Sequence, residues 1–470
     1  MEKIIGRDAE MQKFREWYDS DKNEFIALYG RRRVGKTFLV KSFFNEKFDF
    51  YASGVIDGSM ETQIEAFNTA LARYGYNGQK AKTWTEIFTQ LADLLEAKSR
   101  KKKSRIVVFL DELPCFDTPR SRFQPALDQF WNSRASWLNN IYLVVCGSAT
   151  SWMIQNIVNN KAGLHKRTTH TMHLRPFTLG QTEEYLKSRR FRWPRIAVLQ
   201  IYMMLGGVPY YLSMLDSKKN VPDNIDTLFF SQESEFENEF GLLFASLFKN
   251  ADSYMEIIRL LSNKRDGYTR SEIAAALQIP DNGHLSKMLD NLEYCDFIRR
   301  YNNGLLQKNG IYQLVDLFSL FYLKFCTRRI TDEHFWRNAL GTSEQNAWYG
   351  LTFERVCLLH VRQIIHGLHL DTIRHEYYAW RSTGSPAVQI DLIIDRADDI
   401  ATICEMKYSK DDYSLTEKEY RNIIRRMEAF QAASKRKDGV QVAIVTTYGL
   451  TDNTYSEISP VAITMEELFG

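Results

Sequence analysis

Wholly apolar runs recur in the first third of the chain, and each gives way abruptly to polar chemistry. Phe25-Ile-Ala-Leu28, Ile106-Val-Val-Phe-Leu110 and Ile141-Tyr-Leu-Val-Val-Cys146 contain no charged residue. A strand buried on both faces reads as such a run, whereas a half-exposed strand alternates, so the three are expected as central strands of one parallel sheet. A shorter apolar run lies at Phe48–Tyr51. Between them apolar residues recur at helical spacing: Met11, Phe14 and Tyr18 in the segment that starts at Glu2, then Gln63–Arg73, then Trp84–Glu96. Alternating strands and helices predict an α/β fold built on a parallel sheet.

The pattern changes at Ser253. A helix through Met255, Ile258 and Leu261 precedes Tyr268-Thr269-Arg-Ser271-Glu272, where Thr269 with Glu272 three residues on is a helix-capping signal. A third helix is expected over Asn282–Tyr294. Two strands follow over Phe297–Gln313, with turns at Asn302-Asn303-Gly304 and Asn309-Gly310. Three helices and a two-stranded wing are the layout of a winged helix, with His284, Ser286 and Lys287 on the third helix. Two uses of that helix stay open, contact with a DNA groove and packing against protein as a spacer. From Asn346 onward the order is a helix containing Glu354, a strand near Thr372–Trp380, a hairpin, a helix over Leu415–Ala433 and a strand over Val440–Thr446.

At 470 residues the chain exceeds what one core can serve, and a length prior suggests about three domains. The formal charge of +3 neither demands nor excludes nucleic acid, because a local patch matters more than the sum. The basic loop Lys98–Arg105 is either a solvated turn or a nucleic-acid contact. No apolar run reaches the roughly 20 residues of a membrane helix, and the start lacks a signal-peptide layout. A cytoplasmic location without a membrane partner is therefore expected. The six cysteines, Cys115, Cys146, Cys295, Cys326, Cys357 and Cys404, show no C-x-x-C spacing and read as reduced core thiols.

Chemistry concentrates where the apolar runs end. Gly30-x-x-x-x-Gly35-Lys36-Thr37 follows the first strand and opens a helix, the required setting of a P-loop. The glycines let the backbone wrap phosphate oxygens, and the amides of the helix start supply fixed positive charge. Gly30, Arg31, Arg32, Arg33, Val34, Gly35, Lys36, Thr37 and Phe38 are thus expected to bind ATP, with Lys36 on the β and γ phosphates and Thr37 on Mg²⁺. The Ile106 run ends in Asp111-Glu112, a Walker B arrangement: Asp111 is expected in the Mg²⁺ shell, and Glu112 is expected to polarise the attacking water. After Cys146, Ser148 or Thr150 is placed to bond the γ-phosphate or the water, or to cap a helix.

These residues carry a resemblance over roughly the first half of the chain. Gly6-Arg7-x-x-Glu10, the P-loop, Leu110-Asp111-Glu112, Cys146-Gly-Ser148, the Leu164–Phe177 stretch ending Leu-Arg-Pro-Phe, and Leu205-Gly-Gly-Val-Pro209 together resemble the prokaryotic ATPase family placed among the AAA+ and STAND P-loop ATPases. The resemblance implies that Gly6 and Arg7 lie on the adenine side and that Leu205–Pro209 lies in a helical lid. It also implies an arginine finger at Arg167, offered to a neighbouring copy of the chain, although Lys166 stands where the family shows glycine.

The C-terminal hairpin consists of Val388-Gln-Ile-Asp391-Leu-Ile-Ile-Asp395 and Ala401-Thr-Ile-Cys-Glu405-Met-Lys407-Tyr408. If Arg396 pairs with Ile400, Asp391 falls opposite Glu405, and Lys407 shares their face. Two carboxylates and an ammonium at one spot suit Mg²⁺ and phosphodiester cleavage; a salt-bridged hairpin uses the same residues. Together with Glu354, the set Asp391, Glu405-x-Lys407 resembles the PD-(D/E)XK nuclease superfamily and is similar to the nuclease-like domain often fused to this ATPase type. The resemblance implies a restriction-endonuclease-like fold with Glu354, Asp391 and Glu405 as metal ligands and Asp391, Glu405 and Lys407 as catalytic groups, or the same fold without activity as a binding platform.

The expected architecture is an α/β P-loop ATPase core over residues 1–180, a helical lid over 181–250, a winged-helix connector over 251–330 and a nuclease-like domain over 346–470. The expected function is an ATP-binding and ATP-hydrolysing switch or motor that uses ATP and Mg²⁺, acts on DNA, and carries a metal-dependent nuclease site. The alternative is a nucleotide-gated regulator or scaffold for DNA or protein with an inactive nuclease-like domain. Expected partners are ATP, DNA, a partner protein and further copies of the chain.

Overall fold

The computed structural model describes residues 4–102, 104–138, 140–159, 167–303, 306–328, 330–382, 388–434 and 439–470. Glu2, Leu164, Lys166 and Gly304 lie outside them, as do the side chains of residues 302–303 and 306–309. The chain divides into two compact units, residues 1–176 with 247–249, and residues 177–246 with 250–470.

The first unit is built on five parallel strands: β1 (Glu24–Tyr29), β2 (Phe50–Ser53), β3 (Ile106–Asp111), β4 (Ile141–Gly147) and β5 (His170–His173). Their order is β2-β3-β4-β1-β5. Successive side chains leave opposite faces. Phe25, Ala27, Val108, Leu110, Leu143 and Val145 pack on one face with helices Met60–Arg73, Trp84–Ser99 and Phe123–Ser133. Ile26, Leu28, Val107, Phe109, Tyr142 and Val144 pack on the other with helices Asp8–Tyr18 and Lys36–Phe43. Burial on both faces is why the middles of β1, β3 and β4 carry no charge; Glu24 and Asp111 stand at strand ends. In register, Phe25 and Val108 both pair with Leu143, so β1 and β3 flank β4 level with one another. The loops after all three strands therefore open on one carboxyl edge, where such sheets bind ligands.

The second unit begins with helices Leu179–Ser188, Arg195–Leu205 and Pro209–Ser213. Gly206 turns the chain at φ +64, and a Cβ on Gly207 would lie 1.9 Å from the Phe177 carbonyl oxygen. Helices Ala251–Ser262, Arg270–Leu277 and Gly283–Tyr294 follow, with β6 (Tyr268–Thr269), β7 (Ile298–Asn303) and β8 (Leu306–Leu314). Thr269 and Glu272 form a capping box, and Asn282 caps the third helix by accepting from the His284 and Leu285 amides.

Helix Ser343–Leu359, β9 (His375–Arg381), β10 (Gln389–Arg396), β11 (Ala401–Lys407), helix Glu417–Ser434, β12 (Val440–Thr446) and β13 (Val461–Ile463) complete it. The strands run β13-β12-β11-β10-β9-β7-β8-β6 in one sheet, joined between β9 and β7 at Asn303 and Ala379. Tyr301, Ile311 and Ala379 pack together at that seam. All six cysteines are free thiols.

Candidate functional site

In the first unit the P-loop turns through two left-handed residues, Arg33 at φ +74 and Gly35 at φ +91. Gly30 passes so close to the next strand's exit that a Cβ would lie 2.2 Å from the Leu174 carbonyl oxygen. Gly35 is the N-cap of helix Lys36–Phe43 and brings no capping side chain, which leaves the first amides of the helix for an anion. Lys36 is buried, and its Nζ donates to the carbonyls of Gly30 at 2.8 Å and Arg31 at 2.9 Å. Arg31 and Val34 are buried, Arg32 and Arg33 are half-buried, and Phe38 is exposed.

The groups expected on Mg²⁺ already meet. Thr37 Oγ1 donates to Asp111 Oδ2 at 2.9 Å, a hard-oxygen pair of the kind Mg²⁺ takes alongside phosphates. Burial pushes the Asp111 carboxyl up from its ordinary range; hydrogen bonds from the Cys146 thiol at 2.6 Å and from Thr37 act the other way. Burial also holds the Cys146 thiol well up, so it stays a donor. These residues fit a nucleotide with its Mg²⁺: Lys36 and the helix amides would hold phosphates, and Thr37 and Asp111 would hold the metal, which supplies charge neutralisation.

Glu112, one residue beyond β3, sits in the left-handed region at φ +45. Its Oε2 accepts from both the amide and the hydroxyl of Ser148 in the loop after β4. Ser148 does not cap the following helix; Ala149 holds the N-cap position of Thr150–Met153 without a side-chain bond. Thr150 is fully buried and donates to the Ser148 carbonyl. Arg7 is buried, and its Nη2 donates to the carbonyls of Val34 at 3.1 Å and Arg175 at 2.8 Å, bracing the P-loop from the segment that follows Gly6. Burial lowers the affinity of that guanidinium for its proton, and Glu10 opposes the effect. Arg167 is exposed just ahead of β5.

In the second unit β10 and β11 pair Leu392 with Cys404 and Asp395 with Ala401, and the Arg396 amide donates to the Ile400 carbonyl at 3.0 Å. Continued by one residue, this register sets Asp391 opposite Glu405. The side chains nevertheless engage cations in two separate sets. Glu354, buried on helix Ser343–Leu359, pairs with Arg355 at 2.8 Å and with Arg265. Asp391 accepts from Gln389 at 2.8 Å and lies 3.9 Å from the Arg265 guanidinium. Glu405 pairs with Lys407 at 3.0 Å and with Arg426, and Lys407 also reaches Glu419 at 3.4 Å.

Among the described residues, no three His, Cys, Asp or Glu side chains are gathered as a metal cluster. As placed, Glu354 is engaged by Arg355 and Arg265, Asp391 by Gln389, and Glu405 by Lys407 and Arg426. Sequence reasoning missed Arg265, Arg355 and Arg426. Only Arg355 carries any local signal, its adjacency to Glu354.

Residues 4–215 match a family described as an ATPase domain predominantly from Archaea, and this stretch is a P-loop ATPase domain. An uncharacterised protein of Methanocaldococcus jannaschii is 25% identical over 367 residues, covering 75% of this chain and 76% of that one. An uncharacterised ATP-binding protein of the same organism is 42% identical over 44 residues, covering 9% of this chain and 75% of that one. Among solved structures, a Walker-type ATPase of Pyrococcus abyssi aligns with TM-score 0.47 at 18% identity, covering 68% of this chain and 96% of that one. The ORC2 protein of Aeropyrum pernix, in ADPNP-ADP complexes, aligns with TM-score 0.43 at 14% identity, covering 69% and 95%.

Proposed function

We propose that this protein is an ATP-hydrolysing, Mg²⁺-dependent switch or motor that acts on DNA, with a metal-dependent nuclease site at its C-terminal hairpin. The observation that carries the ATP half is the meeting of Thr37 with Asp111 and of Ser148 with Glu112 at one edge of the sheet. Lys36 binds the transferring phosphate, Glu112 orients the attacking water, and Ser148 fixes Glu112. Arg167, exposed ahead of β5, completes the site of a neighbouring copy.

The DNA half rests on helix Gly283–Tyr294, whose His284 and Lys287 are exposed. Duplex binding is expected to weaken with salt, because each phosphate contact releases counterions. The test is duplex affinity against salt for wild type and Lys287→Glu, with ATP turnover measured with and without DNA. Loss of affinity at low salt in Lys287→Glu supports the reading; identical affinity and slope argue for a spacer.

The pairing of Glu354 and Glu405 with arginines favours a second reading, a nucleotide-gated regulator whose C-terminal hairpin binds without cleaving. Incubation of wild-type protein and Asp391→Asn with linear, nicked and single-stranded DNA in Mn²⁺ separates the two. Cleavage lost only in the variant supports a nuclease centre, and no cleavage by either supports the platform.

A further inference from the structure

Asp111 and Cys146 lie at the ends of adjacent strands. Leu110 pairs with Val145 across β3 and β4, and the register continued by one residue sets Asp111 beside Cys146. Val107, Phe109, Val144 and Cys146 share the face of the sheet that packs with helix Lys36–Phe43, and strand alternation puts Asp111 on that face too. Cys146 is fully buried there, and its Sγ donates to Asp111 Oδ1 at 2.6 Å. The same oxygen accepts from the Glu112 amide at 3.0 Å and from Thr37 Oγ1 at 3.1 Å. Among the described residues, Oδ2 accepts only from Thr37, at 2.9 Å.

The two oxygens therefore differ in what they have left to offer. An ionised carboxylate has about four lone-pair sites, shared between its oxygens. Three donors crowd Oδ1, whereas Oδ2 keeps capacity for a cation. Hard cations take oxygen, so neither the amide nor the protonated thiol competes for Mg²⁺, and both can hold Oδ1 whatever Thr37 does. The amide belongs to the next residue of the same chain segment. The thiol is what ties the carboxylate to a neighbouring strand. Without it the carboxylate is left to turn about its terminal bond, a torsion with broad preferences of its own.

We propose that Cys146 is a positioning residue for the metal: its thiol holds Asp111 Oδ1 against β4 and so commits Oδ2 to Mg²⁺ or to a water of its shell. This rests on reading Thr37 and Asp111 as the groups that hold the Mg²⁺ of a bound nucleotide. Removing a group that orients a metal ligand costs on the order of 10–100-fold in metal affinity.

The test is titration calorimetry of the full chain with the non-hydrolysable imido analogue of ATP, in EDTA and in Mg²⁺. The quantity read is the tightening that Mg²⁺ brings. Wild type, Cys146→Ala, Cys146→Ser, Asp111→Asn and Cys146→Ala with Asp111→Asn are compared. Cys146→Ala is expected to bind the analogue in EDTA like wild type and to lose on the order of tenfold of the tightening. Cys146→Ser, which keeps a donor, is expected to restore most of it. In the Asp111→Asn background, Cys146→Ala is expected to change nothing further. Undiminished tightening in Cys146→Ala overturns the proposal, as does an equal loss of affinity with and without Mg²⁺, which marks a packing role. A further loss in the double variant overturns it as well. If Cys146→Ala does not fold, Cys146→Val, which fills the space without a donor, is read by the same criteria. Wild type that gains nothing from Mg²⁺ overturns the metal assignment of Thr37 and Asp111 together with this role, whereas a wild-type gain that Cys146→Ala retains overturns this role alone.

Discussion

The amide and hydroxyl of Ser148 converge on a single oxygen of Glu112, at 3.1 and 2.9 Å. The loop after β4 thereby sets the rotamer of the carboxylate after β3, and the left-handed backbone at Glu112 adds a second constraint. Such backbone costs on the order of 1–3 kcal/mol and persists only where the surroundings fix it. Ser148→Ala keeps the amide contact and loses the hydroxyl. A hydrogen bond to a charged group is worth about 1.5–3 kcal/mol, so ATP turnover is expected to fall on the order of tenfold or more with nucleotide affinity near wild type. Steady-state turnover and nucleotide binding of Ser148→Ala check this; undiminished turnover removes the hydroxyl from the mechanism.

The role proposed for Arg167 ties turnover to assembly. An arginine supplied to a neighbouring site neutralises charge on the transferring phosphoryl and is worth on the order of a thousandfold in rate. Turnover per subunit should rise with protein concentration through the range of self-association, and Arg167→Ala should flatten that rise. A concentration-independent rate together with a silent Arg167→Ala places the finger elsewhere.

His360 makes the second unit sensitive to acid. It is buried, accepts from the Leu179 amide through Nε2, and bonds the Val356 carbonyl through Nδ1. Burial pushes its pKa down from 6.5 to about 4, with the Val356 bond opposing. The folded state therefore holds the neutral ring. Its contribution to stability is full above 6.5 and is lost as pH falls, because the unfolded chain takes up a proton that the fold refuses until about 4. The loss amounts to roughly 3 kcal/mol across that window. Denaturant unfolding from pH 7 to pH 4 measures it, and His360→Gln should remove that part of the slope. The same slope in the variant would assign the acid sensitivity to other groups.

What could be read from the sequence was what depends on neighbours along the chain. β1, β3 and β4 are legible because burial on both faces keeps charge out of their interiors. β5, an edge strand reading His-Thr-Met-His, carries no such signal. The P-loop and Asp111-Glu112 are local in sequence, and their meeting follows from strand order. The hairpin register was legible because a short turn fixes it. The arginines around Glu354, Asp391 and Glu405 come from a loop and two helices, and only tertiary packing brings them to the hairpin. The seam between β7 and β9 rests on a single paired position and has no residue signature.

The division of labour between Lys36 and Glu112 is tested most directly by ATP binding and Mg²⁺-dependent turnover in wild type, Lys36→Ala and Glu112→Gln. Lys36→Ala is expected to weaken nucleotide binding, because it removes a phosphate contact. Glu112→Gln is expected to bind ATP like wild type and to lose turnover by on the order of a hundredfold or more, because only the orientation of the attacking water is removed. A Glu112→Gln protein that hydrolyses ATP at the wild-type rate would contradict the assignment of this edge of the sheet as the catalytic site.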